Sequence, residues 1–316
     1  MEAKKEEPGL RQNPLYDSMV ILDVPNKSCV GLMAEEDFEG IIITLQAKGI
    51  KGGRNMTIHE FGKENRETIV LIHPSVVMWD YFEYVIPLLE KRYHLIIPAL
   101  PGYDPDKKSD FTSVEKIAED LTSWLEKRQL TKIHCIYGCS MGGAVVIRTL
   151  LDRRLEIRRA IIDGGITPYQ LPWILTRMIA VKDFLLVSMG KIGGIRLLEK
   201  AFATDELSEE DIKYEANVLS MISYRTIWNT FDSCNNYRMP KHPQTNCRQL
   251  EYWYSDGEVK ERRGDIGYMK KVFPRTEFRL IRNAGHGGLA PFQPERLARG
   301  LMELMESKTQ KSKIES

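Results

Sequence analysis

The chain has little that would mark it as a nucleic-acid-binding or membrane-spanning protein. Its 45 lysines and arginines nearly balance 44 aspartates and glutamates, for a net charge of +1. Binding to a nucleic-acid backbone draws on a basic excess or patch, and none stands out, so no nucleic-acid partner is predicted. Nowhere do about 18 consecutive apolar residues occur, so no membrane span is predicted either.

Cysteine is also scarce, and the common cofactor motifs are missing. The five cysteines are an odd, scattered set without CxxC spacing, which favours reduced thiols over a disulfide framework. The opening residues, MEAKKEEPGL, are charged and lack the apolar core of a secretion signal, so we expect a cytoplasmic protein. No dinucleotide-binding GxGxxG follows a strand, and there is no Walker lysine or zinc-binding HExxH. The sequence therefore predicts neither a cofactor nor a metal.

Short apolar runs alternate with longer segments of helical period over most of the chain. The runs are apolar on both faces, which is typical of a parallel sheet covered by helices on both sides. We therefore predict an α/β fold with a mostly parallel central sheet and helices on both faces. The runs predicted as strands are Thr68–Ile72, His94–Ile97, Lys132–Tyr137, Arg159–Ile162, Leu250–Tyr254 and Phe278–Ile281.

Helical patterns lie between these runs. Residues 79–92 are amphipathic, but Pro87 must kink or divide a helix there. A helix over Val114–Leu125 is preceded by Thr112, three residues before Glu115, which predicts a capping box. An apolar helix is also predicted at Gly142–Leu151, and a closing helix at Pro294–Met305.

The alternation of predicted strands and helices divides the chain into a core, an insertion and two terminal segments. Residues 54–163 and 247–305 carry the alternating pattern and form the predicted core. Residues 164–246 show helical patterns without a convincing strand, which predicts a helical cap inserted into the core. Residues 1–53 are expected to be a partly disordered lead-in, and residues 306–316 a solvated tail.

The apolar stretch Leu171–Met189 within that insertion has two interpretations. It could form a lid that lines a pocket, or a helix packed into the insertion's own core. The sequence leaves both open.

One pentapeptide matches the pattern that presents a nucleophilic serine. Gly138-Cys139-Ser140-Met141-Gly142 fits GxSxG, directly after a predicted strand and directly before an apolar helix. This strand–turn–helix setting is the one that a nucleophile elbow requires. The turn would hold Ser140 in a strained conformation, and a Cβ at position 138 or 142 would collide with its neighbours. Ser140 is therefore the predicted nucleophile.

A serine hydroxyl needs a base and an oriented carboxylate to become a good nucleophile. His286 follows the last predicted strand, so it should emerge at the same sheet edge as Ser140. Three carboxylates could orient it: Glu258 and Asp256 after the strand Leu250–Tyr254, and Asp163 at the end of an earlier strand. With either of the first two, the chain order Ser…acid…His holds.

Acyl transfer also needs two N–H donors for the developing oxyanion. The backbone of Met141 supplies the first. The second is expected in the loop His73-Pro74-Ser75. Pro74 has no N–H, so Ser75 is the preferred donor and Val76 is the second choice.

Taken together, residues 56–305 resemble the α/β-hydrolase fold superfamily, particularly its lidded members. The resemblance rests on His73-Pro74, Leu100-Pro101-Gly102-Tyr103, GCSMGG at 138–143, WYSDGE at 253–258 and Ala284-Gly285-His286. It implies that the acid lies at the last position of a Gly-x-x-Asp pattern. Ser255 and Glu258 take the two end positions of that pattern here, so the resemblance favours Glu258.

These residues predict a serine hydrolase that cleaves an ester, thioester or amide of a small to medium apolar acid through an acyl-enzyme. Its expected partner is a small-molecule acyl substrate. Two alternatives remain open: a non-catalytic binding or signalling protein that keeps the fold, and a C–C hydrolase or lyase that uses the same residues.

Overall fold

A computed structural model of the chain describes residues 56–168, 171–201 and 208–306. The predicted lead-in at 1–53 lies outside these residues, as does the tail beyond Glu306. In the part of the chain that the structure describes, no helix is both long and apolar enough to cross a membrane.

The centre of the fold is a seven-stranded sheet with the order β1-β3-β2-β4-β5-β6-β7. All neighbouring strands are parallel except β1, which runs antiparallel to β3 at one edge. The predicted mostly parallel sheet is confirmed, while β1 was not predicted. The strands are β1 (Thr57–Phe61), β2 (Thr68–Ile72), β3 (His94–Ala99), β4 (Lys132–Cys139), β5 (Glu156–Asp163), β6 (Gln249–Ser255) and β7 (Glu277–Ile281).

Helices cover both faces of this sheet, as predicted. A 3₁₀ turn (Trp79–Phe82) and nine α-helices are described. The helices are α1 (Ile86–Leu89), α2 (Val114–Lys127), α3 (Met141–Thr149), α4 (Trp173–Ala201), α5 (Glu209–Met221), α6 (Tyr224–Asn236), α7 (Arg263–Val272), α8 (Leu289–Phe292) and α9 (Pro294–Glu306).

Alternation along the buried strands builds two separate cores. On β2, Val70 and Ile72 face the core that is packed by α2 and α3. Ile69 and Leu71 face the opposite core, which is packed by α9. Because successive strand side chains point to opposite faces, a strand that is apolar throughout fills both layers at once.

The segment 79–92 is divided, as predicted, into the 3₁₀ turn and the short α1. Pro87 lies in the first turn of α1, where its missing N–H costs nothing. The predicted cap of α2 was wrong by one residue. Ser113, not Thr112, caps α2, and its side chain accepts a hydrogen bond from the Lys116 N–H. Thr112 and Ser113 are both good N-cap residues, so the sequence pattern does not distinguish between them.

The described chain between β5 and β6 is helical. It comprises α4, α5 and α6, and α4 contains a kink at Gly194, whose φ is +56°. Side chains of α4 and α6 reach the carboxyl edge of the sheet. The candidate site residues lie at this edge, after the ends of the strands. Thus part of Leu171–Met189 lines a pocket, while other apolar side chains of that stretch are exposed.

Candidate active site

Ser140 lies at a sharp turn between β4 and α3. Its φ of +51° and ψ of −114° are unfavourable for any residue but glycine. A Cβ at Gly138 would lie 2.3 Å from the Gly142 carbonyl oxygen, and one at Gly142 would lie 2.3 Å from the Ile72 carbonyl oxygen. Only glycines permit this close approach of backbones, so the motif's spacing follows from the packing of the turn.

Ser140 shares a cavity with His286. The cavity has a volume of about 190 Å³ and is also lined by both candidate oxyanion residues, Ser75 and Met141. The rest of its wall comes mainly from the helices between β5 and β6 and from the loop after β6. These residues are Ile166, Ile179, Lys182, Asp183, Thr230, Phe231, Cys234, Asn235, Glu261 and Arg262.

His286 is held by Glu258. The imidazole Nδ1 lies 2.6 Å from Glu258 Oε2, and both side chains are almost fully buried. A carboxylate only accepts hydrogen bonds, so Nδ1 carries the hydrogen in this contact. In the neutral ring, Nε2 then has the lone pair, which is the tautomer that a general base requires.

The environment of Glu258 keeps it ionised. Burial by itself would raise its pKa, but His286, Arg262 and the Ser255 N–H together lower the pKa to about 2. The Ser255 N–H donates to Glu258 Oε1 at 2.8 Å, and Arg262 Nε lies 3.5 Å from Oε2. The carboxylate is thus charged throughout the range in which a hydrolase works.

The two other candidate acids lie elsewhere. Asp256 is exposed and accepts a hydrogen bond from the Asn283 N–H at 3.1 Å. Asp163 is buried and accepts from the Tyr137 hydroxyl at 2.6 Å. Burial raises the pKa of Asp163 to about 7 despite that hydrogen bond. Neither carboxylate makes the contact to His286 Nδ1 that Glu258 makes.

The loop after β2 is anchored by a buried histidine. His73 Nδ1 lies 2.7 Å from the Pro74 carbonyl oxygen, and its Nε2 accepts from the Leu100 N–H at 3.4 Å. Burial lowers the pKa of His73 to about 4, so the ring is neutral and can make both contacts. Val76 has a φ of +62°, a strained conformation for a β-branched residue, beside the Ser75 that lines the cavity.

Two residues at this site were missed by the sequence reasoning. Arg262 pairs with Asp265 at 3.0 Å and donates to the Gly164 carbonyl oxygen at 3.1 Å, besides its contact with Glu258. Its position four residues after Glu258, as in a helical turn, was a usable signal. Gly164 has a φ of +55°, and a Cβ there would lie 2.7 Å from His286 Nδ1. The pair Gly164-Gly165 after β5 was only a weak indication that the backbone packs closely against His286.

Known proteins share this architecture. The model of the alpha/beta hydrolase family matches residues 69–300. A structure of a putative alpha/beta hydrolase family protein from Desulfitobacterium hafniense is 19% identical, with a TM-score of 0.63 over 79% of this chain and 100% of that one.

Two further similar structures are of enzymes with different activities. An esterase from Exiguobacterium antarcticum is 19% identical, with a TM-score of 0.61 over 80% of this chain and 96% of its own. A bromoperoxidase from Bacillus anthracis is also 19% identical, with a TM-score of 0.62 over 80% and 95% of the two chains. At such identities the likeness shows the fold alone. The family model spans well over half of the sequence, and this chain therefore belongs to the alpha/beta hydrolase family.

Proposed function

We propose that the chain is a serine hydrolase that cleaves an ester, thioester or amide of a small to medium acid through an acyl-enzyme. The observation that carries this proposal is the buried hydrogen bond from His286 Nδ1 to Glu258, together with the cavity that His286 and Ser140 both line. A buried, paired imidazole beside a strained serine is the arrangement that activates a hydroxyl for attack.

The reaction follows from these positions. His286 Nε2 takes the Ser140 proton as the hydroxyl oxygen attacks the substrate carbonyl, and Glu258 stabilises the imidazolium that forms. The backbone N–H groups of Met141 and Ser75 bind the oxyanion. His286 then protonates the leaving group, and it later activates the water that releases the acid from Ser140.

The cavity supports a compact acyl group. Its volume of about 190 Å³ is smaller than the roughly 300–1,000 Å³ of pockets that hold drug-sized ligands. Ile166, Ile179 and Phe231 contribute apolar side chains to its wall. The helices of residues 164–246 act in this proposal as a cap, because α4 and α6 supply the wall opposite the nucleophile.

A fluorophosphonate probe tests the proposal directly. An activated Ser140 reacts with the probe, and Ser140→Ala abolishes both the labelling and the turnover of p-nitrophenyl butyrate. Ser220→Ala is the control, because Ser220 is exposed on α5 and does not line the cavity. Undiminished hydrolysis by Ser140→Ala would contradict the mechanism, and a folded wild type without labelling or turnover would indicate a non-catalytic binding protein.

A further inference from the structure

One side of α4 is exposed and almost wholly apolar. Of the fourteen large hydrophobic side chains that are exposed in the described residues, nine lie between Leu171 and Leu197. Before the kink at Gly194, exposed side chains recur every three or four residues, which is the spacing of one side of an α-helix. We define the exposed face of α4 by six of these residues, namely Ile174, Met178, Lys182, Leu185, Met189 and Ile192.

The inner side of α4 is apolar as well. Ala180 and Val187 are buried, and the ring of Phe184 packs against Trp228 of α6 with 5.7 Å between the centroids. A helix that is apolar on all sides is usually buried on all sides. In the described residues, however, α4 packs mainly against α5 and α6, which cover its inner side only. The exposed face therefore has the composition of a contact surface.

Charge indicates which kind of partner fits this face. Helix α4 contains two acidic residues, Asp183 and Glu199, and five basic ones, Arg177, Lys182, Lys191, Arg196 and Lys200. Lys182 is the one charged residue among the six of the exposed face, and it is 51% exposed, whereas its neighbour Asp183 is mostly buried. Arg196 and Lys200 are exposed just beyond the kink. A second copy of the chain would bring two cationic helices together, which is unfavourable, whereas an anionic lipid surface attracts such a helix.

The first turn of α4 presents a tryptophan. Trp173 is 67% exposed, while the other four tryptophans of the chain are buried or partly buried. Tryptophan favours the boundary between water and lipid hydrocarbon, because its ring is apolar and its N–H still needs a polar partner. Trp173 thus fits a lipid surface and also provides a fluorescent reporter of contact with it.

The exposed face adjoins the cavity that contains Ser140. Lys182 lines this cavity, together with Ile179 and Asp183 from the same stretch of α4. Since Lys182 is also half exposed, the cavity approaches the exterior beside this face. A surface that contacts α4 would therefore lie next to the candidate active site.

We propose that the exposed face of α4 docks on a membrane surface that contains anionic phospholipids. Its apolar side chains enter the boundary between headgroups and acyl chains, and the basic residues of α4 attract the headgroup phosphates. The helix lies along the surface and does not cross the bilayer, because its inner side stays packed on α5 and α6. An isolated helix at such a surface needs a polar side toward water, but here the protein itself covers the inner side. The proposal goes beyond the proposed function and does not depend on it, since docking requires no turnover.

Vesicle flotation tests docking with the full-length protein. We expect the wild type to bind phosphatidylcholine vesicles that contain about one third phosphatidylglycerol, and to bind pure phosphatidylcholine vesicles about 10-fold more weakly. High salt should weaken the binding to the anionic vesicles, because it screens the basic residues. Tryptophan emission should shift to the blue on binding, and Trp173→Phe should remove most of that shift.

Three variants locate the contact. Ile174→Ser and Ile192→Ser should each weaken binding to the anionic vesicles about 10-fold, because each removes an apolar side chain that would enter the lipid. Arg196→Gln should weaken it about 5-fold. Tyr84→Ser is the matched control, because Tyr84 is 57% exposed but lies between the 3₁₀ turn and α1, and it should bind like the wild type. Thermal melting checks that every variant is folded.

The same measurements identify any other occupant of this face. A wild type that does not bind the anionic vesicles would overturn the proposal. If light scattering then shows a dimer that Ile192→Ser dissociates, the face contacts a second copy instead. Equal vesicle binding by Ile192→Ser and Tyr84→Ser, or binding without a change in Trp173 emission, would place the lipid contact elsewhere on the protein and would also refute it.

Discussion

His286 Nδ1 and Glu258 Oε2 are 2.6 Å apart, in a contact that joins the loop after β7 to the loop after β6. The contact fixes the ring tautomer, and it keeps a negative charge beside the nitrogen that must carry the proton. It also singles out one carboxylate among the three that the sequence offered.

Glu258→Gln should lower kcat by about 10³–10⁴-fold, because an amide can no longer stabilise the imidazolium and can reverse the ring tautomer. Asp256→Asn, two residues away, is the control and should retain most of the activity, since its carboxylate bonds only to a surface loop among the described residues. Steady-state kinetics on p-nitrophenyl butyrate measure both. Similar losses in the two variants would show that Glu258 does not orient His286.

Gly164→Ala should reduce both activity and stability. The new Cβ would lie 2.7 Å from His286 Nδ1 and 3.1 Å from Glu258 Oε2, in a backbone conformation with a φ of +55°. We expect a loss of about 1–3 kcal/mol in the free energy of unfolding, together with displacement of the imidazole.

Gly264→Ala provides the comparison for that variant. Gly264 lies in α7, and a Cβ there would meet nothing within 4 Å. Alanine favours helix, so this variant should be as stable as the wild type or more stable by up to about 1 kcal/mol. Urea denaturation of both variants measures the difference. If both glycines tolerate alanine equally, the close packing of Gly164 on His286 is wrong.

Asp163 should make stability depend on pH. Its folded pKa of about 7 lies above the usual value of 3.8 because the carboxyl group is buried, although the hydrogen bond from the Tyr137 hydroxyl lowers the pKa. A raised folded pKa contributes stability that is fully present below about pH 4 and is lost as pH rises through 7. Relative to the wild type, Asp163→Asn should therefore gain about 2–3 kcal/mol between pH 5 and pH 8.

Urea denaturation at the two pH values tests this dependence. Asp256→Asn again serves as the control, because its carboxylate is exposed and should show no comparable gain. A constant stability difference between Asp163→Asn and the wild type across this range would mean that Asp163 keeps one protonation state.

Ser140→Gly should be more stable than Ser140→Ala by about 1 kcal/mol, although both variants lack the nucleophile. The reason is the φ of +51° at this position, which glycine adopts without steric cost. Thermal or urea unfolding compares the two. Equal stabilities would indicate that the turn relaxes when the side chain is removed and that it stores no strain.

Local sequence patterns were sufficient to predict the parallel sheet and the sharp turn at Ser140. Buried strands such as Thr68–Ile72 are apolar on both faces, and GxSxG follows from backbone contacts within one turn, so both features are encoded over a few neighbouring residues. The edge strand β1, with its partly exposed side chains, escaped prediction because its pairing with β3 is a long-range contact.

Which carboxylate contacts His286, and which groups surround the pair, depends on long-range packing. Glu258, Asp256 and Asp163 all lie at the ends of strands, at the same edge of the sheet. Local sequence patterns do not predict differences of a few ångströms between side chains on separate loops. The approach of Gly164 and Arg262 to the pair of His286 and Glu258 likewise arises where distant segments pack together. The periodicity of a sequence indicates which face of a helix or strand is buried. The chemistry of a site depends also on the side chains that distant segments place next to that face.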